Sequence, residues 1–239
     1  MCSDPSHTPP DRMRLLDVII GMVAPRLCEA CGRELLDGEQ TLCMHCVAGL
    51  PLCMMSRDDL RAARLPRTVP VNNVYPWLTY TNENAVCSLI REGKYHNRPE
   101  LIKGLAQMYA HSLLQENALN GVNLLVPVPM YWWKRMRRGY NQADIIAKTI
   151  AVESGVNMSR CLKAKRGHRS QTQHSRQGRL HNVRGLMEMR AGAEIAGLHV
   201  GIVDDILTTG ATVSEAAEVL VQAGAGAVSV FTLAAAESW

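Results

Sequence analysis

"GIVDDILTTGAT", residues 201–212, decides how this chain of 239 residues folds. Its first residues close an apolar run, "IAGLHVGIV" (195–203), which has the character of a strand buried on both faces. Two acids follow, Asp204 and Asp205, then a loop of threonines and one glycine. The loop leads into "VSEAAEVLVQAGA" (213–225), apolar at helical spacing, with the helix expected to start near Val213. A strand, a short loop and a helix make half of a parallel α/β repeat, and such sheets bind ligands at the carboxyl ends of their strands.

Outward from this unit the pattern repeats. "VNLLVPVPM" (122–130) reads as a second buried strand, "NQADIIAKTIAVES" (141–154) as a helix ending at Gly155, and "AVSVFTLAA" (227–235) as a closing strand. Upstream, residues 82–114 read as two helices, the first ending near Gly93 and the second starting at Pro99, a residue tolerated in a first turn. Alternating strands and helices predict a parallel sheet flanked by helices over residues 74–239. With 47% apolar residues the chain can build the core this requires.

The loop has the chemistry of an anion seat. Free amides at the start of a helix, with the positive end of its dipole, suit one phosphate. Gly210 lets backbone come close, Thr208, Thr209 and Thr212 add hydroxyl donors, and Ala211 begins the turn into the helix. Asp204 and Asp205 repel a phosphate, but they suit sugar hydroxyls or a Mg2+ ion carried with the ligand. A ribose 5-phosphate unit offers all of these groups. No lysine follows the glycine, so this is not a Walker loop.

Charge is unevenly placed. The net charge is +4, yet residues 131–184 hold thirteen Lys and Arg against Asp144 and Glu153, which predicts a polyanionic partner: a diphosphate, a phosphorylated sugar or nucleic acid. "VPVPMYWWKRMRRGYNQA" (126–143) carries Lys134, Arg135, Arg137 and Arg138 to the same sheet edge, where they suit a diphosphate, and Asn141 is a candidate helix cap. Trp132 and Trp133 among these cations also suit stacking on unpaired bases. Residues 163–185 are almost devoid of apolar side chains and are too long for a connector. They read as a lid, with Arg169 and Arg176 among its candidate anion ligands.

Cysteine usage marks a separate module. "CEAC" places Cys28 and Cys31, and "CMHC" places Cys43 and Cys46, two thiolate hooks whose tetrahedral cage zinc prefers. An iron–sulfur cluster uses the same four thiolates. Four protein ligands leave no open position for water, so the role is structural. The expected organisation is a tail and short helix (1–22), a zinc module (23–56), a charged, proline-punctuated linker (57–73) and the α/β domain (74–239). The N-terminal stretch is too short and too charged for a membrane span, which leaves the cytoplasm as the expected compartment.

The Asp-Asp and Thr-Thr-Gly-Ala-Thr segment resembles the phosphoribosyl diphosphate signature of type I phosphoribosyltransferases. Taken with the four-cysteine knuckle, "REGKYHNRPEL" (91–101), 126–143 and "QTQHSRQGRLHNVRG" (171–185), the chain from about Met13 onward resembles the ComF family, which includes ComFC and GntX. The resemblance implies a phosphoribosyltransferase-like domain that binds phosphoribosyl diphosphate with Mg2+, Asp204 and Asp205 in the catalytic role, and residues 1–12 as an extension. It also implies a part in DNA uptake, with single-stranded DNA and DNA-uptake or recombination proteins as partners. A homodimer is implied because type I relatives often are dimers. Two functions follow: phosphoribosyl transfer to an unidentified acceptor, or non-catalytic binding of single-stranded DNA through the zinc module and basic loops.

Overall fold

The computed structural model describes residues 25–66, 68–81, 83–95, 98–165 and 185–236. The expected helix within 1–22, and the lid residues Arg169 and Arg176, lie outside the described residues. The chain divides into two compact units, Met1–Gly49 and Leu50–Trp239.

In the first unit the chain doubles back on itself. Leu27 bridges Glu34 in antiparallel fashion, and Gly32 N donates to Cys28 O at 2.8 Å across the turn between the first two cysteines. Glu39 ties the two hooks together. One of its carboxylate oxygens accepts from Leu36 N at 2.7 Å and the other from Met44 N at 2.6 Å, the first residue of helix α1 (Met44–Ala48). Hydrogen bonds from those two amides lower the Glu39 pKa.

The second unit is a five-stranded parallel sheet in the order β1 (Asn73–Tyr80), β7 (Ala227–Ala236), β6 (His199–Leu207), β2 (Leu124–Pro127), β3 (Asn157–Met158). Two short strands, β4 (Leu162–Ala164) and β5 (Met187–Met189), pair antiparallel beside it. Helices α4 (Pro99–Gln115) and α6 (Gln142–Ser154) pack on each other, and α6 packs on β2 and β6. Helix α7 (Ala211–Gln222) lies against β5, β6 and β7. Remaining helices are α2 (Arg57–Arg64), α3 (Ala85–Tyr95) and α5 (Trp132–Arg138).

The central strands are apolar because both their faces are covered. Val200, Ile202, Val228 and Val230 are fully buried and share a cluster with Val213, Ala216 and Leu220 of α7. Gly201 sits where a side chain has no room: a Cβ there would lie 2.8 Å from Phe231 Cε2 and 2.9 Å from Leu125 Cδ2. The chain's single phenylalanine fills that space and stacks on Tyr75 at 5.1 Å.

The stretch 57–73, read from sequence as a linker, contains helix α2. Ser56 caps it, accepting from Asp59 N at 3.1 Å and donating to Asp59 Oδ2 at 2.6 Å, with Asp58 and Asp59 in the favourable first turn. Leu60 and Leu65 are buried in the α7-side core. Asn141 stands at the N-cap position of α6, as expected, but its side chain makes no capping bond: its Nδ2 donates to Val128 O at 2.9 Å and so pins the turn after β2 to the start of α6.

Candidate functional site

Strand β6 is fully buried from residue 200 to 203 and then carries Asp204 and Asp205 toward the carboxyl edge of the sheet before ending at the buried Leu207. Neighbouring strand residues face opposite sides, so the two acids straddle the sheet edge. Both are half-buried. Each carboxylate folds forward onto backbone: Asp204 Oδ1 accepts from Asp205 N at 2.9 Å, and Asp205 Oδ1 from Ile206 N at 2.7 Å. These bonds orient the carboxyls at the strand end.

A three-residue turn, 208–210, joins β6 to α7. The helix begins at Ala211, two residues earlier than its periodicity suggests, with Gly210 as N-cap at φ 74°. No side chain caps it, and the amides of Thr209, Gly210, Ala211 and Thr212 have no hydrogen-bond acceptor among the described residues. Thr208 is exposed, Thr209 and Thr212 half-buried, Gly210 and Ala211 buried. Four free amides at the positive end of a twelve-residue helix make a seat for an anion.

One strand over, the turn after β2 opens a second region. Val128 N donates to Val203 O at 2.9 Å, which places this turn directly beside Asp204. A pocket of about 220 Å³ lies there, lined by Pro127, Pro129, Tyr131, Trp132, Arg135, Arg160, Lys163, Lys165 and Arg190. Asp144 also lines it and is held by Arg160 Nε at 3.0 Å, leaving the lining strongly cationic. Burial, and secondarily the charge of Glu215, pushes the Tyr131 hydroxyl up to about 12, so it stays protonated as a donor.

Of the four basic residues expected on 134–138, Arg135 lines this pocket. Lys134 lies over the rings of Trp133, at 5.4 Å, and Tyr131, at 5.7 Å. Arg137 is exposed and Arg138 half-buried on the same short helix. Arg160 and Arg190 were not singled out from sequence. Both stand next to very short strands, where no periodicity draws attention to a neighbouring cation.

Glu215, in the first turns of α7, is buried and accepts from Leu186 N and from Met187 N, the latter at 2.8 Å, fixing the start of β5. Burial pushes its carboxyl up, against the lowering by those two amides and by Lys165. A folded-state value above the unfolded one means that stability is full below the ordinary carboxylate pKa and declines as pH rises through the raised value. Melting temperature across that acidic window should therefore fall with rising pH more steeply in the wild type than in Glu215→Gln, which has no proton to lose. Equal slopes would show that Glu215 contributes nothing to the pH dependence.

In the first unit the sulfurs of Cys28, Cys31, Cys43 and Cys46 all lie within 4.8 Å of one another, and Cys31 and Cys43 approach to 3.6 Å. A tetrahedral cage with zinc–sulfur bonds of about 2.3 Å has sulfurs about 3.8 Å apart, so the donor set fits a zinc-sized ion. Burial opposes ionisation of Cys28, but amides led by Cys43 N, at 3.3 Å, outweigh it and lower the thiol to about 6. Burial raises Cys46 to about 12, with hydrogen bonds from the neighbouring thiols adding to the shift. Cys53 belongs to the second unit, where its amide donates to Trp77 O at 2.9 Å.

Residues 136–238 match the phosphoribosyl transferase domain family. DNA utilization protein YhgH of Salmonella typhimurium (strain LT2) is 30% identical over 214 residues, covering 87% of this chain and 89% of that protein. Competence protein F of Haemophilus influenzae is 27% identical over 153 residues, 62% of this chain and 67% of its own. Competence protein ComFC of Bacillus subtilis (strain 168) is 31% identical over 111 residues, 46% of this chain and 43% of its own. No helix among the described residues is long and apolar enough to cross a membrane.

Proposed function

Since this chain belongs to the ComF family of competence and DNA utilization proteins and carries a phosphoribosyl transferase domain, we propose that its sheet edge binds phosphoribosyl diphosphate with Mg2+ and transfers the phosphoribosyl group. The observation that carries the reading is the row of four amides, Thr209 to Thr212, without acceptors among the described residues and a few residues beyond two half-buried aspartates.

The 5-phosphate takes the amides and hydroxyls of the turn, while Asp204 and Asp205 accept from the ribose hydroxyls. The diphosphate takes the cationic pocket, where Arg135, Lys165 and the Tyr131 hydroxyl converge. The bond from C1′ to the diphosphate oxygen breaks, its electron pair leaves with the diphosphate, and the nucleophilic atom of the acceptor bonds to C1′. Neutralisation of the departing charge is the chemistry that Mg2+ supplies when bound. The chain's own part is to hold the sugar in line and to stabilise charge on both sides of C1′, so no protein nucleophile is required.

Calorimetry with phosphoribosyl diphosphate and Mg2+ tests the pocket. Wild type should bind, and Asp205→Ala should lose about 1.5–3 kcal/mol, roughly ten- to hundredfold in affinity, as expected for a charged hydrogen bond. A wild type that shows no heat removes the proposal. Release of diphosphate in the presence of bases, amines or nucleic acid then identifies the acceptor.

A second reading rests on α5. Trp132 is 62% exposed, Trp133 44% and Met136 77%, on a helix whose other residues are Lys and Arg. Exposed indoles among cations stack on unpaired bases, at about 1–3 kcal/mol per base. Single-stranded DNA is the partner of that chemistry, in keeping with a cytoplasmic role in DNA uptake. A labelled oligonucleotide should bind with affinity that falls steeply as salt rises, and Trp132→Ala should weaken it. Salt-insensitive binding would count against this reading. The four cysteines are proposed to hold zinc as a structural ion in either case.

A further inference from the structure

Arg64 ends α2 and is only 8% exposed. Its Nη1 donates to Thr208 O at 3.2 Å and its Nη2 to Ala236 O, while Nε is buried and meets no partner among the described residues. No carboxylate among the described residues lies within ion-pair distance of it. A guanidinium does not deprotonate, so among the described residues a full positive charge is buried against two carbonyl oxygens. Burying a charge without a counter-ion costs several kcal/mol. This charge lies against the turn that precedes α7.

In a trans peptide the carbonyl of one residue and the amide of the next point in opposite directions. By holding Thr208 O toward itself, Arg64 turns Thr209 N–H away from itself. The backbone of Arg64 meets the same turn: a Cβ on Gly210 would lie 2.1 Å from Arg64 O. Helix α2 therefore braces the turn from behind with both main chain and side chain.

We propose that Arg64 is the positioning residue of the phosphate-binding turn, and that the anion seated on the outer side of the turn balances its buried charge, which has no counter-ion among the described residues. The assignment rests on the reading of this turn as the seat of a sugar 5-phosphate. Arg64 touches the turn and not the ligand. It aims the amides and adds a positive potential through one layer of backbone, where a low dielectric preserves it. The ligand class that gains from Arg64 is accordingly the sugar 5-phosphate, and inorganic diphosphate, which suits the pocket beside β2, gains little.

Calorimetry on the full chain tests this with two probes, ribose 5-phosphate alone and inorganic diphosphate with Mg2+, for wild type, Arg64→Met and Arg64→Lys. Arg64→Met should weaken ribose 5-phosphate by about tenfold or more, the scale of a lost charge-assisted hydrogen bond, and leave diphosphate within about twofold. Arg64→Lys keeps the charge but not the planar fork, so a smaller loss for the same probe alone is expected. A purely structural role would weaken both probes together, and that result, or wild-type affinity in both variants, overturns the assignment. Should Arg64→Met fail to fold, Arg64→Lys decides by the same selectivity. A wild type that binds diphosphate but not ribose 5-phosphate overturns instead the reading of the turn itself.

Discussion

Replacing Gly210 by alanine should cost the second unit more than about 3 kcal/mol and abolish binding of phosphorylated ribose. Two effects add. At φ 74° a Cβ costs about 1–2 kcal/mol on conformation alone. The new methyl would also lie 2.1 Å from Arg64 O and 2.9 Å from Leu65 Cδ2, and the nearer atom is backbone that cannot swing aside. The turn must shift, and with it the amides of 209–212. Gly192→Ala separates the two contributions, because Gly192 has φ 77° and nothing within 4 Å of its absent Cβ. That variant should lose only the conformational part, about 1–2 kcal/mol, with ligand binding intact. Thermal melting of both variants, followed by calorimetry with ribose 5-phosphate, checks the pair. Equal melting temperatures would mean that α2 yields easily to the turn.

Cys43→Ser should remove the metal and unfold the first unit. Around the cysteines the described part of this unit offers little apolar burial beyond Leu35 and Leu42, and its longest described helix has five residues. Such a module cannot offset its chain entropy by packing, so the ion must supply the difference, about 10–16 kcal/mol for structural zinc sites at neutral pH. Metal analysis of wild type should give one zinc per chain and no brown colour of an iron–sulfur cluster, and Cys43→Ser should give none. The melting transition of residues 50–239 should persist, since that sheet is built wholly from its own strands. Retention of one zinc by the variant would show that Cys43 is not a ligand.

Much of the sheet can be read from apolar runs bounded by turn residues, because parallel strands buried on both faces carry a signal that needs no partner to be seen. Strands β2, β6 and β7 are of this kind. Helix α2 escaped because its charges and the following prolines outweigh the evidence of "SRDD", a serine cap with an acid three residues on, before Leu60. With it went Arg64, whose importance comes from contacts 144 and 172 residues away in sequence. The early start of α7 has a similar cause: a left-handed glycine serves as cap, whereas periodicity first registers at Val213. Asn141 has the residue type and position of a cap, but its side chain is oriented by the bond from Nδ2 to Val128 O and its Oδ1 caps no amide of α6. Arg160 and Arg190 belong to the pocket only through the pairing of strands two to three residues long, which local sequence does not specify.

The edge strand β1 has a kinetic consequence. Asn73 pairs with Ser229 and Tyr80 with Ala236 of β7, the last strand among the described residues, while on its other side β1 meets only the short segment around Leu52, which bridges Leu78. A nascent chain must carry the β7-facing side of "NVYPWLTY" unpaired while the intervening helices and strands emerge, and loop closure over that distance is slow. During that interval an aromatic, half-apolar ribbon is open to pairing with another copy, a route to aggregation that ends when Phe231 arrives to stack on Tyr75.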